Sequence, residues 1–126
     1  MKKVLRKGQT LSSFHQLVWR DMSKYIRQKY ADWRGLVRCY TCDKIMRWQD
    51  SDCGHLRHLD ALDFNQDNLR PQCTNCNRFE SGRRDIFYRK LVKEIGKKRA
   101  EALYRINIYS FTLTELRAIR EKIKGS

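Results

Sequence analysis

Four cysteines stand in two short pairs, Cys39-Tyr40-Thr41-Cys42 and Cys73-Thr74-Asn75-Cys76, with thirty residues between the pairs. Two such CxxC pairs supply four thiolates, which is the complete tetrahedral shell of a structural Zn²⁺. A shell filled by protein leaves no open position for water or substrate. The zinc expected on Cys39, Cys42, Cys73 and Cys76 would therefore hold structure, and chemistry must come from what lies between and beside the pairs. There the chain carries Gly54-His55, then Asn68 thirteen residues on from His55, then Asn77 directly after the last cysteine of the second pair. An imidazole can act as a general base because its ordinary pKa of about 6.5 lies close to working pH. The fifth cysteine, Cys53, reads as a small, partly buried filler. Four cysteines at metal-ligand spacing plus one spare suit a reducing cytoplasm better than a disulfide framework.

These residues need elements to position them. The chain's 126 residues suit one domain, 1–126. Residues 1–10 are basic and aperiodic, and read as a flexible arm. Ser12 or Ser13 can cap a first helix within 11–35, with Ser13 and Gln16 at capping-box spacing. Phe14, Leu17, Val18, Met22, Tyr25 and Ile26 fall on one helical face. Gly35 offers a stop. Leu36-Val37-Arg38 leads into the first cysteine pair, and Ile45 to Trp48 reads as a short strand returning from it. Residues 49–72 are polar and irregular apart from Leu56, Leu59 and Leu62. Helical spacing resumes from Arg83 to Ile95, with Gly96 as terminator, and a second short stretch runs from Lys97 to about Tyr104. Thr112 and Glu115 form a capping box for a last helix with Leu113, Leu116, Ile119 and Ile123 inward. The zinc-held centre thus spans 36–82 and a helical part spans 83–126.

Charge narrows the partner. Lys and Arg number 28 against 14 Asp and Glu, a net charge of +14, which points to a polyanion such as DNA. Basic residues cluster at Lys2, Lys3, Arg6 and Lys7; at Arg78, Arg83, Arg84, Arg89 and Lys90; at Lys97, Lys98 and Arg99; and at Arg117, Arg120, Lys122 and Lys124. The cluster beginning at Arg78 flanks His55 and Asn77 in the pattern, so Arg78, Arg83, Arg84, Arg89 and Lys90 are the candidates for phosphate contact. Phosphate contacts position a duplex without reading its bases. Tyr40, Trp48 and Phe79 read as packing against the knuckles, with stacking on a splayed base at a junction as the alternative. Nothing in the sequence has transmembrane length, and the basic start is not followed by the apolar run of a signal peptide.

The order His–Asn–Asn bracketed by CxxC pairs resembles the HNH endonucleases. The resemblance runs through Cys39-x-x-Cys42, Gly54-His55, Asp67-Asn68-Leu69-Arg70-Pro71-Gln72-Cys73 and Cys76-Asn77. Over roughly residues 19–103 the chain is similar to the NinG/Rap family of lambdoid phage recombination proteins. The residues that carry this likeness include Trp48-Gln49, Phe64, Gln72-Cys73-x-x-Cys76-Asn77-Arg78 and Ser81-Gly82, with Ser23 to Arg27, Tyr88, Leu91 and Ile95-Gly96 in flanking helices.

The resemblance implies an α+β fold in which a zinc-stabilised ββα-metal, HNH-like centre is flanked by N- and C-terminal helices. It implies a metal-dependent endonuclease acting on branched DNA such as Holliday junctions and D-loops. In that role His55 is the general base, Asn68 orients its loop, and Asn77 ligates a catalytic Mg²⁺ or Mn²⁺. HNH nucleases usually carry Asp or His just before the base as a second ligand. Gly54 stands there here, which leaves Asp52, His58, Glu80 and Ser81 as candidates, and Phe79 stands where a further histidine would be expected. Symmetric cleavage of a four-way junction would suit a two-fold dimer, and a phage-encoded chain would work in the host cytoplasm. Blander roles fit the same residues. His55 can pack beside a zinc knuckle, Asn68 can be a turn residue, Asn77 can cap a helix, and His15 can be a helix-surface residue. The chain would then be a non-catalytic zinc module that binds nucleic acid, or a recombination accessory that binds protein.

Overall fold

The computed structural model describes residues 8, 10–106 and 110–125. The basic cluster at Lys2, Lys3, Arg6 and Lys7 lies outside them. Helix α1 runs Leu11–Lys29. Its cap is Thr10, three residues before the expected start of the capping box: the Thr10 hydroxyl accepts from the Ser13 amide, and the Ser13 hydroxyl takes the Thr10 amide in return. Thr10 therefore belongs to the helix and not to the arm. The expected apolar face is present, with Phe14, Val18, Met22 and Ile26 buried. The helix stops at Lys29, earlier than Gly35. The Asp32 carboxylate accepts from the Arg34 and Leu36 amides, a local alternative to helix. Gly35, at φ 77°, turns the chain into the first strand.

Two small antiparallel ribbons follow. Strands β1 (Leu36–Arg38) and β2 (Ile45–Arg47) flank the first cysteine pair. Strands β3 (Asp52–His55) and β4 (Leu69–Gln72) form the second, with Asp52 opposite Gln72 and His55 opposite Leu69. The reading of 49–72 as irregular missed this second ribbon. Its strands are four residues long and contain Gly, Pro and buried Arg and Gln, so neither alternation nor β-propensity marks them. After β4 the second cysteine pair enters a π-helical turn at Asn75–Phe79. Helix α2 (Arg84–Ile95), helix α3 (Lys97–Ala102) and helix α4 (Leu113–Lys124) complete the chain. The α4 capping box forms between Thr112 and Glu115 as its spacing indicates.

The β3–β4 ribbon lies between two apolar layers. On one side Cys53 and Leu69 join Met22 and Ile26 of α1, with Ile119 and Ile123 of α4 against them. On the other, Leu56 and Leu62 pack with Phe87 and Leu91 of α2 and with Ala100 and Leu103. Phe14 and Val18 meet Leu116, so α1 and α4 pack together. Cys53 is the buried filler it was read to be. Burial pushes its thiol up to about 12, so it is an inert apolar group and not a nucleophile.

Candidate functional site

The cysteine cluster is built by the two hairpin ends. Asp43, at φ 67°, closes the first knuckle by returning its amide to the Cys39 carbonyl, and the Tyr40 amide donates to the Pro71 carbonyl, which docks this knuckle on β4. The four sulfur atoms all lie within 4.8 Å of one another. Cys42 Sγ and Cys73 Sγ are 3.7 Å apart. That is far too long for a disulfide, and close to the edge of about 3.8 Å that a tetrahedron with Zn–S bonds near 2.3 Å requires. The set could hold a zinc ion. Its surroundings pull both ways: the Cys76 amide points at Cys73 Sγ at 3.4 Å and Arg83 Nε donates to Cys76 Sγ at 3.2 Å, while burial pushes the Cys42 thiol up to about 12 and raises that of Cys73. Burial opposes ionisation of Cys39, but backbone amides and the Thr41 hydroxyl outweigh it and bring this thiol down to about 6.

The π-helical turn aims Asn77. The Glu80 amide bonds the Asn75 carbonyl, five residues back, and the widened turn accommodates the residue after the last cysteine. Asn77 Nδ2 donates to Asp52 Oδ2 at 3.1 Å, so the turn and β3 meet through these two side chains. Arg78 holds the same carboxylate, Nε to Oδ2 at 3.1 Å and a second nitrogen to Oδ1 at 3.3 Å. Asp52 is 16% exposed and Arg78 66% exposed, so the carboxylate is the more buried partner of the pair and the guanidinium the solvent-facing one. These three residues line a cleft of about 360 Å³ together with Trp19, Ser23, Arg27, Gln49, Ser51 and Cys53. Of the four candidates for a second metal ligand, Asp52 is the one in contact with Asn77. Glu80 leans towards Arg83, Ser81 is exposed, and His58 lies against His55.

His55 ends β3. Trp19 of α1, which also lines the cleft, stacks on its ring at 4.6 Å and 30°. Its Nε2 meets Asp63 Oδ1 at 3.2 Å. Asn68 is fully buried, and its amide closes the chain that follows His55: Oδ1 accepts from the Arg57 amide at 2.9 Å and Nδ2 donates to the Arg57 carbonyl at 3.0 Å. The Leu56 amide reaches the Asn68 carbonyl as well. Asn68 thus ties down the loop beside His55 through backbone bonds.

Gly54 has a physical reason. A Cβ at this position would collide with the Gln72 side chain, whose Nε2 donates to Gly82 O at 2.8 Å and Thr41 Oγ1 at 3.0 Å. The space that a ligand side chain at 54 would need is filled by that amide.

The candidate phosphate-contact residues are not equivalent. Arg84 and Arg89 are exposed at the start and middle of α2, and Arg89 turns back on Asp85, its Nε donating to the Asp85 carbonyl at 3.4 Å and a second nitrogen lying 3.8 Å from the carboxylate. Arg83 is committed to Cys76, and Lys90 pairs with Asp43 of the first knuckle at 3.1 Å. Phe79, read as a packing residue, is 76% exposed, whereas Tyr40 packs edge-on against Phe87 and Trp48 lies under Arg27. His15, read as a helix-surface residue, is half-buried and bonded to Asp63 Oδ2 at 2.7 Å. Sequence reasoning missed Asp63 and Trp19, and it quoted Gln72 only as part of the family likeness, without its steric role. Each is brought to the site by packing, and none has a type or spacing that sets it apart.

The family model described as Bacteriophage Lambda NinG protein matches residues 1–126. The chain belongs to the NinG family. NinG membership places it among phage recombination-related proteins and extends the likeness beyond 19–103 to both flanking helical parts. No curated protein matches the chain. No solved structure matches it. Among the described residues no helix is long and apolar enough to cross a membrane.

Proposed function

We propose that this NinG-family chain is a metal-dependent endonuclease that cuts branched DNA, such as Holliday junctions or D-loops, during phage recombination. The observation that carries the reading is the placement of three residues along the β3–β4 hairpin and the turn that follows it. His55 closes the first strand of a hairpin, buried Asn68 ties the loop that follows it, and Asn77 is held against Asp52 in the turn after the second strand. This is the order that the HNH resemblance assigns to base, loop anchor and metal ligand.

The donor chemistry fits a hard cation. Asp52 offers carboxylate oxygens and Asn77 a carboxamide oxygen, and oxygen donors suit Mg²⁺ or Mn²⁺. A divalent ion held by Asp52 and Asn77 would stabilise charge on the phosphoryl oxygens and on the leaving oxygen. Arg78 would exchange Asp52 for a phosphate of the substrate. His55 would take a proton from water as its oxygen attacks phosphorus. A P–O ester bond breaks in the same displacement, and the departing oxygen takes a proton. Arg84 and Arg89 add cationic surface on α2, and the net charge of +14 supports a polyanionic partner. A two-fold dimer would match the symmetry of a four-way junction.

The test is His55→Ala against wild type on a four-way junction and a matched linear duplex with Mg²⁺ or Mn²⁺. Cleavage should fall by roughly 10²–10⁴-fold, the usual contribution of a general base, with DNA affinity and melting temperature nearly unchanged. Equal cutting by both proteins refutes the reading. Binding without cutting by either supports a non-catalytic nucleic-acid-binding module instead, and failure to bind DNA supports a protein-binding accessory.

A further inference from the structure

We propose that Asp63 is a positioning residue that fixes the tautomer and plane of His55 so that Nδ1 is the proton-accepting nitrogen. The proposal rests on the reading of His55 as general base. Asp63 follows the short turn Asp60–Leu62 and returns towards the end of β3. Its two oxygens have different partners. Oδ1 faces His55 Nε2 at 3.2 Å, and Oδ2 faces His15 Nε2, from α1, at 2.7 Å. The Asp63 and His55 side chains are only 17% and 11% exposed, so water competes weakly for these bonds.

Burial alone would raise the Asp63 carboxyl, but the bonds to His55 and His15 outweigh it and hold the group below the ordinary carboxylate range. Asp63 is therefore ionised at neutral pH, and an ionised carboxylate only accepts hydrogen bonds. Both facing Nε2 atoms must then carry hydrogen. On neutral His55 this leaves the lone pair on Nδ1. The water's O–H bond breaks towards Nδ1 as its oxygen bonds phosphorus, and the imidazolium that forms sits opposite the Asp63 charge. Trp19 fixes the ring plane by stacking. His15 fixes the carboxylate from its other side, so α1 supplies both the flat wall and the second anchor.

The charged and titratable groups around His55 are Asp63 and His58 on its own loop and His15 on α1 behind Asp63. His58 lies 4.9 Å away ring to ring. Burial, with the neighbouring charges of His55 and of Arg84 at the start of α2, favours its neutral form. Asp60 lies close to the His15–Asp63 pair, and Asp63 is the anion that contacts His55.

The experiment uses the full zinc-loaded chain and compares wild type, Asp63→Asn, His15→Ala and His55→Ala. Single-turnover cleavage of a four-way junction by Asp63→Asn should slow by roughly 10–10³-fold, a share of the general-base contribution, with junction affinity unchanged. Nitrogen-15 NMR of the His55 ring should show the Nε2–H tautomer in wild type and in His15→Ala, and a mixture in Asp63→Asn. His15→Ala should lower the melting temperature more than the rate. An Nδ1–H tautomer in wild type overturns the proposal without any variant needing to fold. An Asp63→Asn protein with unchanged rate and tautomer overturns it too, as does His15→Ala matching Asp63→Asn in both. If His55→Ala cuts like wild type, the nuclease reading falls instead.

Discussion

Gly54 and Gln72 show how one exchange of side chains can be read at the level of single atoms. The HNH resemblance leads one to expect a ligand side chain at 54, and the position lacks one because Gln72 occupies that volume from the opposite strand. Gln72 anchors two other segments, through Thr41 and through the Gly82 carbonyl, so it cannot simply step aside. Introducing the carboxylate by Gly54→Asp should therefore destabilise the protein by about 1–3 kcal/mol, the usual cost of overpacking, without raising metal-dependent cleavage. Combining it with Gln72→Ala should cost less than the sum of the two single changes, with a coupling of about 0.5–3 kcal/mol. Urea denaturation of the four proteins in the cycle measures this, and strict additivity would contradict the steric account. The sequence announced Cys39, Cys42, Cys73 and Cys76 plainly, because a thiolate pair at that spacing has few other uses. His55, Asn68 and Asn77 were singled out by their order, and the catalytic roles given them are proposals. Asp63 was not, since an aspartate eight residues from a histidine carries no signal until folding brings the two into contact, and the steric role of Gln72 was hidden in the same way although the motif included it.

Legibility among the elements follows the size of their apolar pattern. Helices α1, α2 and α4 each present a repeating stripe, and their existence could be read directly. The start of α1 could not, because Thr10, Ser12 and Ser13 are all competent caps, and the structure uses Thr10, boxed with Ser13. Strands β3 and β4 could not be read from periodicity at all. Tertiary bonds hold them, and one of these has a measurable pH signature. Arg70 of β4 is almost wholly buried and meets Glu94 of α2 at 3.0 Å, while Tyr40 of the first knuckle donates to the same carboxylate at 2.8 Å. Burial would raise the Glu94 carboxyl, but Arg70 and Tyr40 outweigh it and lower it below its ordinary value. A depressed carboxylate contributes stability that is present above its unfolded pKa and fades as pH falls through the lower folded value. Wild type should thus lose stability on acidification below the ordinary glutamate range more steeply than Glu94→Gln. Urea melts of both proteins at neutral and acid pH check this, and parallel losses would contradict it.

At the scale of the whole molecule, the charge and the cysteine cluster act across elements. Binding to DNA should be largely electrostatic, with log affinity falling against log salt at a slope of about −0.9 for each phosphate neutralised on B-DNA. Arg84→Ala with Arg89→Ala should reduce that slope and weaken different sequences alike, and fluorescence titration across salt concentrations would show it. An affinity flat in salt would contradict this. Removing zinc should act elsewhere. The cluster joins both hairpin ends and the turn that carries Asn77, so chelation or Cys73→Ser should unfold 36–82 as a unit. Apparent stabilisation by structural zinc runs to about 10–16 kcal/mol in small peptides. Metal analysis finding no zinc in folded protein would contradict the structural role.

The packing of α1 on α4 also sets a schedule. Asp21 and Arg120 are ninety-nine positions apart in the chain yet bonded at 3.0 Å. A ribosome that has finished α1 must add all of 30–112 before it begins the helix that covers Phe14 and Val18. At about 5–20 residues per second that wait lasts roughly 4–17 s. Both cysteine pairs have been translated well before it ends. The nascent chain can therefore capture its metal first, while the apolar stripe of α1 is still open to chaperones, and the last helix to emerge is the one that closes the protein.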